Sequence, residues 1–198
     1  MIIVDNFCAR IDEVRESALQ SGFGTWRPNK GEVGSSVYDG MNFWGLHSLM
    51  LQSLSFAIGG PVYPNSMFFR VTNETTESAY VHSDREWGDF TCIAYLSQHT
   101  ERSGTGFYRH RETGLTRMPS FAELSQDPPF FEKLKEQMVR GSDDEWELLD
   151  FAYGGFNRAV IFDAPRFHSR YPKTGIANSV EDGRMVWACH FVTGVRNG

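Results

Sequence analysis

A histidine and a carboxylate lie two residues apart in the stretch that contains His82, Ser83 and Asp84. Residues 79–84 are predicted to form a short strand, in which alternate side chains share a face, so His82 and Asp84 should project together. A neutral imidazole and a carboxylate are both metal-binding groups near neutral pH. Because His-x-Asp is a short motif, its weight depends on a third ligand from elsewhere in the chain.

His168 is the candidate third ligand because it closely follows the apolar run at residues 159–162. Two histidines and one carboxylate leave three coordination positions open, the arrangement of non-haem Fe(II) oxygenases. Zinc with three protein ligands and a water also fits this set, so a hydrolase stays open at this point. The remaining histidines are expected to be packing or surface residues: His47, His99, His110 and His190.

Arg184 begins the last predicted strand, and this position favours an inward-pointing arginine beside the metal. A guanidinium can hold a carboxylate by two parallel hydrogen bonds, so we expect Arg184 to anchor the far carboxylate of 2-oxoglutarate. Arg170 is the rival anchor, because it lies two residues after His168 on the same strand face. Tyr80 and Tyr95 are candidate hydrogen-bond donors to the site or to the cosubstrate.

The elements that must position these residues run from helices to strands. Helical spacing predicts a helix from Phe7 to Leu19, with Asp5 or Asn6 as N-cap, and a second helix over residues 45–58. Residues 25–40 are predicted to be a loop. Runs rich in β-branched and aromatic residues predict strands at 2–4, 67–72, 79–84, 90–97, 105–109, 158–163, 167–171 and 184–193.

A polar, acidic segment at residues 115–150 interrupts the strands and carries helical patterns at 131–139 and 145–149. The order of elements predicts an α+β fold with a β-sandwich or barrel core and helices packed against it. We assign residues 1–198 to a single domain, with supporting helices at 1–62, the β core at 63–114 and 156–194, and an insertion at 115–155. The insertion is expected to form a lid or a substrate wall.

Composition restricts the class of protein further. The 198 residues carry a net charge of −6, which gives no basic footprint for a nucleic acid. The three cysteines are far apart and form no C-x-x-C motif, which favours a reducing compartment. We find neither a secretory signal nor an apolar run long enough to cross a membrane. The sequence therefore predicts a cytoplasmic protein with a small-molecule or peptide substrate, and it does not indicate an oligomeric state.

An ordered set of motifs spans about residues 67–192. It comprises His82-x-Asp84, Gly104-Thr105-Gly106-Phe107-Tyr108, His168 and Gly183-Arg184. This set resembles the Fe(II)/2-oxoglutarate-dependent dioxygenase superfamily, and most closely its prolyl-4-hydroxylase-like branch. The resemblance implies a double-stranded β-helix (jelly roll) core with N-terminal supporting helices and a mostly helical insertion. It also implies His82, Asp84 and His168 as catalytic iron ligands, and Arg184 as the cosubstrate anchor. The gap from His168 to Arg184 is longer than is common in the superfamily, which keeps Arg170 as the rival.

The implied activity is hydroxylation of an unactivated C–H bond in a small molecule or peptidyl side chain, with Fe(II), 2-oxoglutarate as cosubstrate, and O₂. Retention of Asp84 favours hydroxylation, because halogenating relatives typically carry a small residue at this position. Arg85 and Trp87 are expected to contact the substrate. Two alternatives are a cupin-like metalloenzyme that does not use 2-oxoglutarate and a non-catalytic binding module on the same fold. The fold alone does not choose among substrates.

Overall fold

The computed structural model describes residues 1–20, 25–26, 35–38, 44–72, 80–98, 103–140, 142–172 and 183–194. Within these ranges the strands are β1 (Ile2–Val4), β2 (Thr25–Trp26), β3 (Ser35–Tyr38), β4 (Val62–Thr72), β5 (Phe90–Tyr95), β6 (Gly104–His110), β7 (Trp146–Tyr153), β8 (Arg158–Asp163), β9 (His168–Tyr171) and β10 (Arg184–Thr193). The helices are α1 (Ile11–Gln20), α2 (Trp44–Ile58), α3 (Phe121–Leu124) and α4 (Pro128–Arg140).

The described strands form two antiparallel sheets. The larger has seven strands in the order β1-β8-β5-β10-β4-β3-β2, and the smaller has three in the order β7-β6-β9. Strand β10 lies in the middle of the larger sheet, paired with β5 on one side and β4 on the other. The predicted α+β class with a β core and supporting helices is therefore confirmed, and its sheets are antiparallel.

Side chains on both faces of strand β5 are buried, so the larger sheet packs against a core on each side. Cys92 and Ala94 pack in a core that includes buried residues of α1 and α2. Ile93 and Tyr95 point the other way, into a second core that they share with Phe107 of β6 in the smaller sheet. The helices thus cover one face of the large sheet, and the space between the two sheets lies on the other.

The helices form where caps and spacing support them. Helix α1 buries Ile11, Val14 and Ala18, which recur along one side of the helix. Helix α4 begins at Pro128 because proline is tolerated in a first turn, and the Asp127 carboxylate accepts a hydrogen bond from the Phe130 N–H at 3.1 Å. No helix in the described part of the chain has the length and apolar character needed to cross a membrane.

Helix α4 packs behind the smaller sheet. Its Leu134 is fully buried in a core with Trp146 of β7, Tyr108 of β6 and Phe167, the residue before β9. Burial of side chains of this size stabilises a fold by about 1.5–3 kcal/mol each. The insertion therefore supports the strand that carries His168.

The helix prediction at residues 145–149 is wrong. Trp146–Tyr153 forms strand β7, which pairs with β6 along its whole length. Glu147, Leu148 and Leu149 favour a helix locally, but pairing with β6 and burial of Trp146 and Ala152 outweigh that preference. The last part of the predicted insertion is thus an edge strand of the smaller sheet.

Three other expectations need correction. Helix α1 begins at Ile11 and not at Phe7, and Asn6 has a positive φ of 53°, a conformation that an N-cap residue does not adopt. Residues 80–84 form a single bridge between His82 and His168 in place of a continuous strand, and Ala79 lies outside the described residues. Within the predicted loop at 25–40, the short strands β2 and β3 extend the larger sheet, and its other residues lie outside the described ranges.

The other predicted elements are confirmed. Strands β1, β8 and β10 have the predicted bounds, and helix α2 differs from the prediction by one residue. Strand β4 is longer than predicted because it begins at Val62.

Candidate metal centre

His82, Asp84 and His168 converge at one edge of the space between the sheets. One potential ligand atom from each lies within 4.8 Å of the others, a separation that a single metal ion can bridge. The Nε2 atom of His168 is 3.2 Å from Asp84 Oδ2, and the Nε2 atom of His82 is 3.7 Å from Asp84 Oδ1. The two imidazole rings lie with their centroids 4.3 Å apart.

Local backbone contacts bring the three residues together. The bridge between His82 and His168 is made by two backbone hydrogen bonds, each 2.9 Å long. The Asp84 N–H donates to the carbonyl of Ala164 at 2.9 Å, which ties the carboxylate segment to the chain just before β9. The ligands therefore come from two segments that are remote in sequence and paired in space.

Each histidine contacts a backbone carbonyl through its Nδ1 atom. His168 Nδ1 lies 2.9 Å from the carbonyl of Arg166, and His82 Nδ1 lies 3.3 Å from that of Tyr80. A carbonyl only accepts, so these contacts assign the proton to Nδ1 and leave the Nε2 lone pair free. This is the support that metal-binding histidines commonly have.

In this arrangement a hydrogen-bond acceptor of His168 faces a hydrogen-bond acceptor of Asp84. In the Nδ1–H tautomer, the lone pair of His168 Nε2 faces a carboxylate oxygen of Asp84 at 3.2 Å. Two acceptors at that distance repel, and a cation bound by the His168 nitrogen and the Asp84 carboxylate would offset this repulsion. The donor set of two imidazole nitrogens and one carboxylate therefore suits a divalent transition metal.

The electrostatics of the cluster favour the metal-binding protonation states. Burial lowers the pKa of His82 to about 4, so the imidazole is neutral at physiological pH. Burial by itself raises the pKa of Asp84, but a hydrogen bond from the His190 imidazole helps to hold it well below the usual range. His82 keeps 30% of its side chain exposed, whereas His168 keeps 5%, so His82 marks the open side of the cluster.

A second buried group of polar residues lies on strands β5, β6, β9 and β10. Arg184 at the start of β10 is 5% exposed, and its Nη2 donates to the carbonyl of Gly104 at 3.4 Å. Its guanidinium carbon lies 5.4 Å from the centre of the Tyr95 ring. The Tyr95 hydroxyl bonds the Thr105 hydroxyl at 2.7 Å.

Arg170 belongs to the same group by register. It lies directly opposite Thr105 in the pairing of β9 with β6, and it is 6% exposed. Arg170 and His168 are two residues apart on one strand, so their side chains share a face. Both anchors that the sequence suggested are thus buried near Thr105.

Arg184 lacks a charge partner in the described part of the chain. No carboxylate there lies within ion-pairing distance, and Arg184 Nε has no hydrogen-bond partner among the described residues. A buried guanidinium without a counter-ion is costly, because the charge has lost its hydration. The buried Arg184 side chain is therefore suited to bind an anionic group.

Glycine is required where β6 meets β7. A side chain on Gly104 would place its Cβ 2.0 Å from the carbonyl oxygen of Ala152. This close approach explains the glycine in the Gly-Thr-Gly run, which positions the carbonyl that Arg184 contacts.

Two residues beside the candidate ligands were missed by the sequence analysis. The Thr91 hydroxyl donates to Asp84 Oδ2 at 2.9 Å, and His190 Nε2 lies 3.3 Å from the same oxygen. His190 is buried, as expected of a packing histidine, and in addition it contacts a candidate metal ligand. A signal was available, because His190 lies six residues after Arg184 on one strand and so shares its face.

Three further residues that the sequence analysis placed near the site or the substrate are Tyr80, Arg85 and Trp87. Tyr80 supports His82 through its backbone carbonyl, and its ring lies 5.1 Å from the His82 ring. Trp87 is 54% exposed, with its ring 6.1 Å from that of His190. The Arg85 guanidinium stacks 4.3 Å from the centre of the Phe121 ring.

The expectation for the remaining histidines is confirmed where the structure describes them. His47 accepts a hydrogen bond from the Trp187 indole at 2.9 Å inside the helix-covered core. His110 is buried against the ring of Trp146. His99 lies outside the described residues.

A cleft of about 680 Å³ lies beside the segment that carries Asp84. Residues 115–130 of the insertion form one side, and Arg85 and Pro165 form the other. Its wall is largely apolar, through Leu115, Met118, Leu124 and Phe130, with Arg117 and Glu123 as further charged residues.

Comparison with solved structures defines the fold. The crystal structure of HygX from Streptomyces hygroscopicus with nickel and 2-oxoglutarate bound has a TM-score of 0.59 at 10% identity, and its iron-bound form has 0.58 at 10%. SnoN, a non-heme alpha-ketoglutarate-dependent epimerase from nogalamycin biosynthesis, has a TM-score of 0.57 at 13% identity. Each match covers 98% of this chain and 82% of the other chain. The chain therefore has the same fold as HygX and SnoN.

A comparison with protein-family models also gives a match. A model of the family of unknown function DUF6445 matches residues 72–191, and the chain belongs to that family. The match includes all three candidate ligands and Arg184. No curated protein matches the chain.

Proposed function

We propose that this protein is an Fe(II)/2-oxoglutarate-dependent oxygenase that hydroxylates a C–H bond of a small molecule or peptidyl side chain. Its two sheets would form a double-stranded β-helix. His82, Asp84 and His168 would hold the iron, and the buried arginine pocket would hold the far carboxylate of 2-oxoglutarate.

The observation that carries this proposal is the presence of two complementary groups of side chains, the candidate metal ligands and the buried arginines of β9 and β10. Nitrogen lone pairs and a carboxylate face one another at the edge, and a cation would offset their repulsion. On β10, buried Arg184 is suited to bind an anion. A dicarboxylate that chelates a metal at one end and carries a carboxylate at the other satisfies both.

The chain's own residues would perform four tasks. The three ligands would occupy one face of the metal and leave the opposite face to ligands from solution. Arg184 would bind the carboxylate by two parallel hydrogen bonds, and the Tyr95–Thr105 pair would fix the width of the pocket. Aromatic side chains between the sheets, such as Phe107 and Phe162, would exclude water. Bound iron would couple the oxidative decarboxylation of 2-oxoglutarate by O₂ to oxidation of the substrate.

Several finer points belong to the same proposal. The prolyl-4-hydroxylase-like branch, the division of one domain at residues 1–62, 63–114, 115–155 and 156–194, and a cytoplasmic location stay predictions. We place the substrate wall at the cleft beside Arg85, because the insertion lines it and the Asp84 segment borders it. Its apolar wall and two arginines favour a partly apolar substrate with an anionic group.

The test is anaerobic addition of Fe(II) and 2-oxoglutarate to the purified full chain. The proposal predicts a visible charge-transfer band of the chelate and, after admission of O₂, conversion of 2-oxoglutarate to succinate. Asp84→Asn should abolish both signals. Asp89→Asn, which changes an exposed carboxylate five residues later, should leave both intact. Absence of the band and of succinate from the unmodified chain would refute the proposal.

A further inference from the structure

Two side chains of the larger sheet contact the Asp84 carboxylate. Thr91 on β5 donates its hydroxyl hydrogen to Asp84 Oδ2 at 2.9 Å. His190 on β10 places Nε2 at 3.3 Å from the same oxygen. All three side chains are buried, with exposures of 0%, 7% and 7% for Thr91, His190 and Asp84.

The two donors lie on adjacent, paired strands of the larger sheet. Thr91 and His190 lie directly opposite each other in the pairing of β5 with β10, so their side chains stand together on the same face. Asp84 lies outside both strands, in the turn that follows His82. Its backbone is tied to Ala164, and its carboxylate reaches across to the larger sheet.

Both donors meet the same carboxylate oxygen, and this decides which oxygen is left for a metal. An ionised carboxylate oxygen accepts about two hydrogen bonds, so the Thr91 hydroxyl and the His190 N–H occupy Oδ2. His168 Nε2 lies 3.2 Å from that oxygen but cannot donate, because its proton is on Nδ1. Oδ1, which lies 3.7 Å from His82 Nε2, keeps its lone pairs.

We propose that Thr91 and His190 are positioning residues that hold Asp84 through Oδ2 and present Oδ1 to the metal as a single-oxygen ligand. This inference rests on the proposed function. Coordination through one oxygen leaves three positions of an octahedral metal open, and a second carboxylate oxygen would close one of them. The two contacts from Thr91 and His190 to Oδ2, here called the clamp, also resist rotation of the carboxylate, as hydrogen-bonded partners of metal ligands do.

The test measures the affinity of the purified full chain for Co(II), without turnover. Thr91→Val keeps the β-branched shape and removes the donor, whereas Thr91→Ser keeps the donor. At the second position, His190→Leu removes the donor and His190→Gln supplies an amide N–H. Loss of hydrogen-bonded partners of metal ligands typically weakens binding by about 10- to 100-fold. We expect that loss in the valine and leucine variants and recovery to near the unmodified affinity in the serine and glutamine variants.

The control is Thr193→Val, which alters a β10 threonine that pairs with β4, away from Asp84. It should leave Co(II) affinity unchanged. Thermal unfolding of each variant shows whether a loss of Co(II) affinity reflects a loss of folded protein. If Thr91→Val and Thr91→Ser lose affinity equally, and only as far as they lose folded protein, the proposed clamp is refuted. Unchanged affinity in Thr91→Val and His190→Leu also overturns it and leaves the proposed metal site intact. If the unmodified chain binds no Co(II), the proposed function fails, and the clamp fails with it.

Discussion

Replacement of Arg184 by glutamine gives the most direct test of the proposed cosubstrate site. The guanidinium is 5% exposed and has no carboxylate partner in the described part of the chain, so a bound carboxylate would be its counter-ion. Truncation of one partner in a buried charge pair costs about 2–5 kcal/mol. This corresponds to a dissociation constant for 2-oxoglutarate that rises about 30-fold to a few thousand-fold.

The assay is an anaerobic titration of the Fe(II)-loaded chain with 2-oxoglutarate, followed by the charge-transfer band. Arg184→Lys should fall between the unmodified chain and Arg184→Gln, because lysine keeps the charge and loses the planar fork. Arg109→Gln is the matched control, since Arg109 pairs with Glu147 on the surface. Its titration curve should match that of the unmodified chain.

Arg170→Gln decides between the two arginines. We expect a smaller loss than in Arg184→Gln, because Arg184 contacts Gly104 and lies over the Tyr95 ring. A large loss in Arg170→Gln with a normal titration in Arg184→Gln would refute the assignment of Arg184 and transfer the role to Arg170. Normal titration in both variants would refute an arginine anchor in this pocket.

Three further predictions concern the fold that supports the site. Leu134→Ala should lower the free energy of unfolding by about 2–5 kcal/mol in urea titrations, since the side chain is fully buried; a loss below 1 kcal/mol would contradict close packing of α4 on the smaller sheet. Gly104→Ala should cost at least about 1–3 kcal/mol in the same assay, because its Cβ would meet the Ala152 carbonyl, whereas Gly45→Ala, with open space around it, should cost nothing. The Cys189 thiol should react with Ellman's reagent at pH 8 only after unfolding, because burial raises its pKa to about 12; rapid reaction in the native state would show that the core opens.

The sequence alone was sufficient for the candidate ligands and for most strands. His82 and Asp84 were found from their spacing, and His168 from its place after an apolar strand. These signals are local, since alternation along a strand decides which side chains share a face. Strand β10 was predicted with its observed bounds for the same reason.

Local signals failed where tertiary pairing outweighed them. The Glu-Leu-Leu run at 147–149 favours a helix in isolation, yet the edge of β6 was open to a partner and β7 filled it. At residues 80–84 the local pattern predicted a strand, but a continuous strand does not form, because only His82 makes a β-bridge to another segment.

The contacts of Asp84 depended wholly on the tertiary structure. Periodicity on β10 indicates that His190 shares a face with Arg184, but it does not indicate that Thr91 lies opposite His190 or that Asp84 reaches both. Register between strands that are remote in sequence is decided by the cores on both faces of the sheet. The sequence thus determined which residues have metal-binding chemistry, and the tertiary structure decided how their oxygen and nitrogen atoms are oriented.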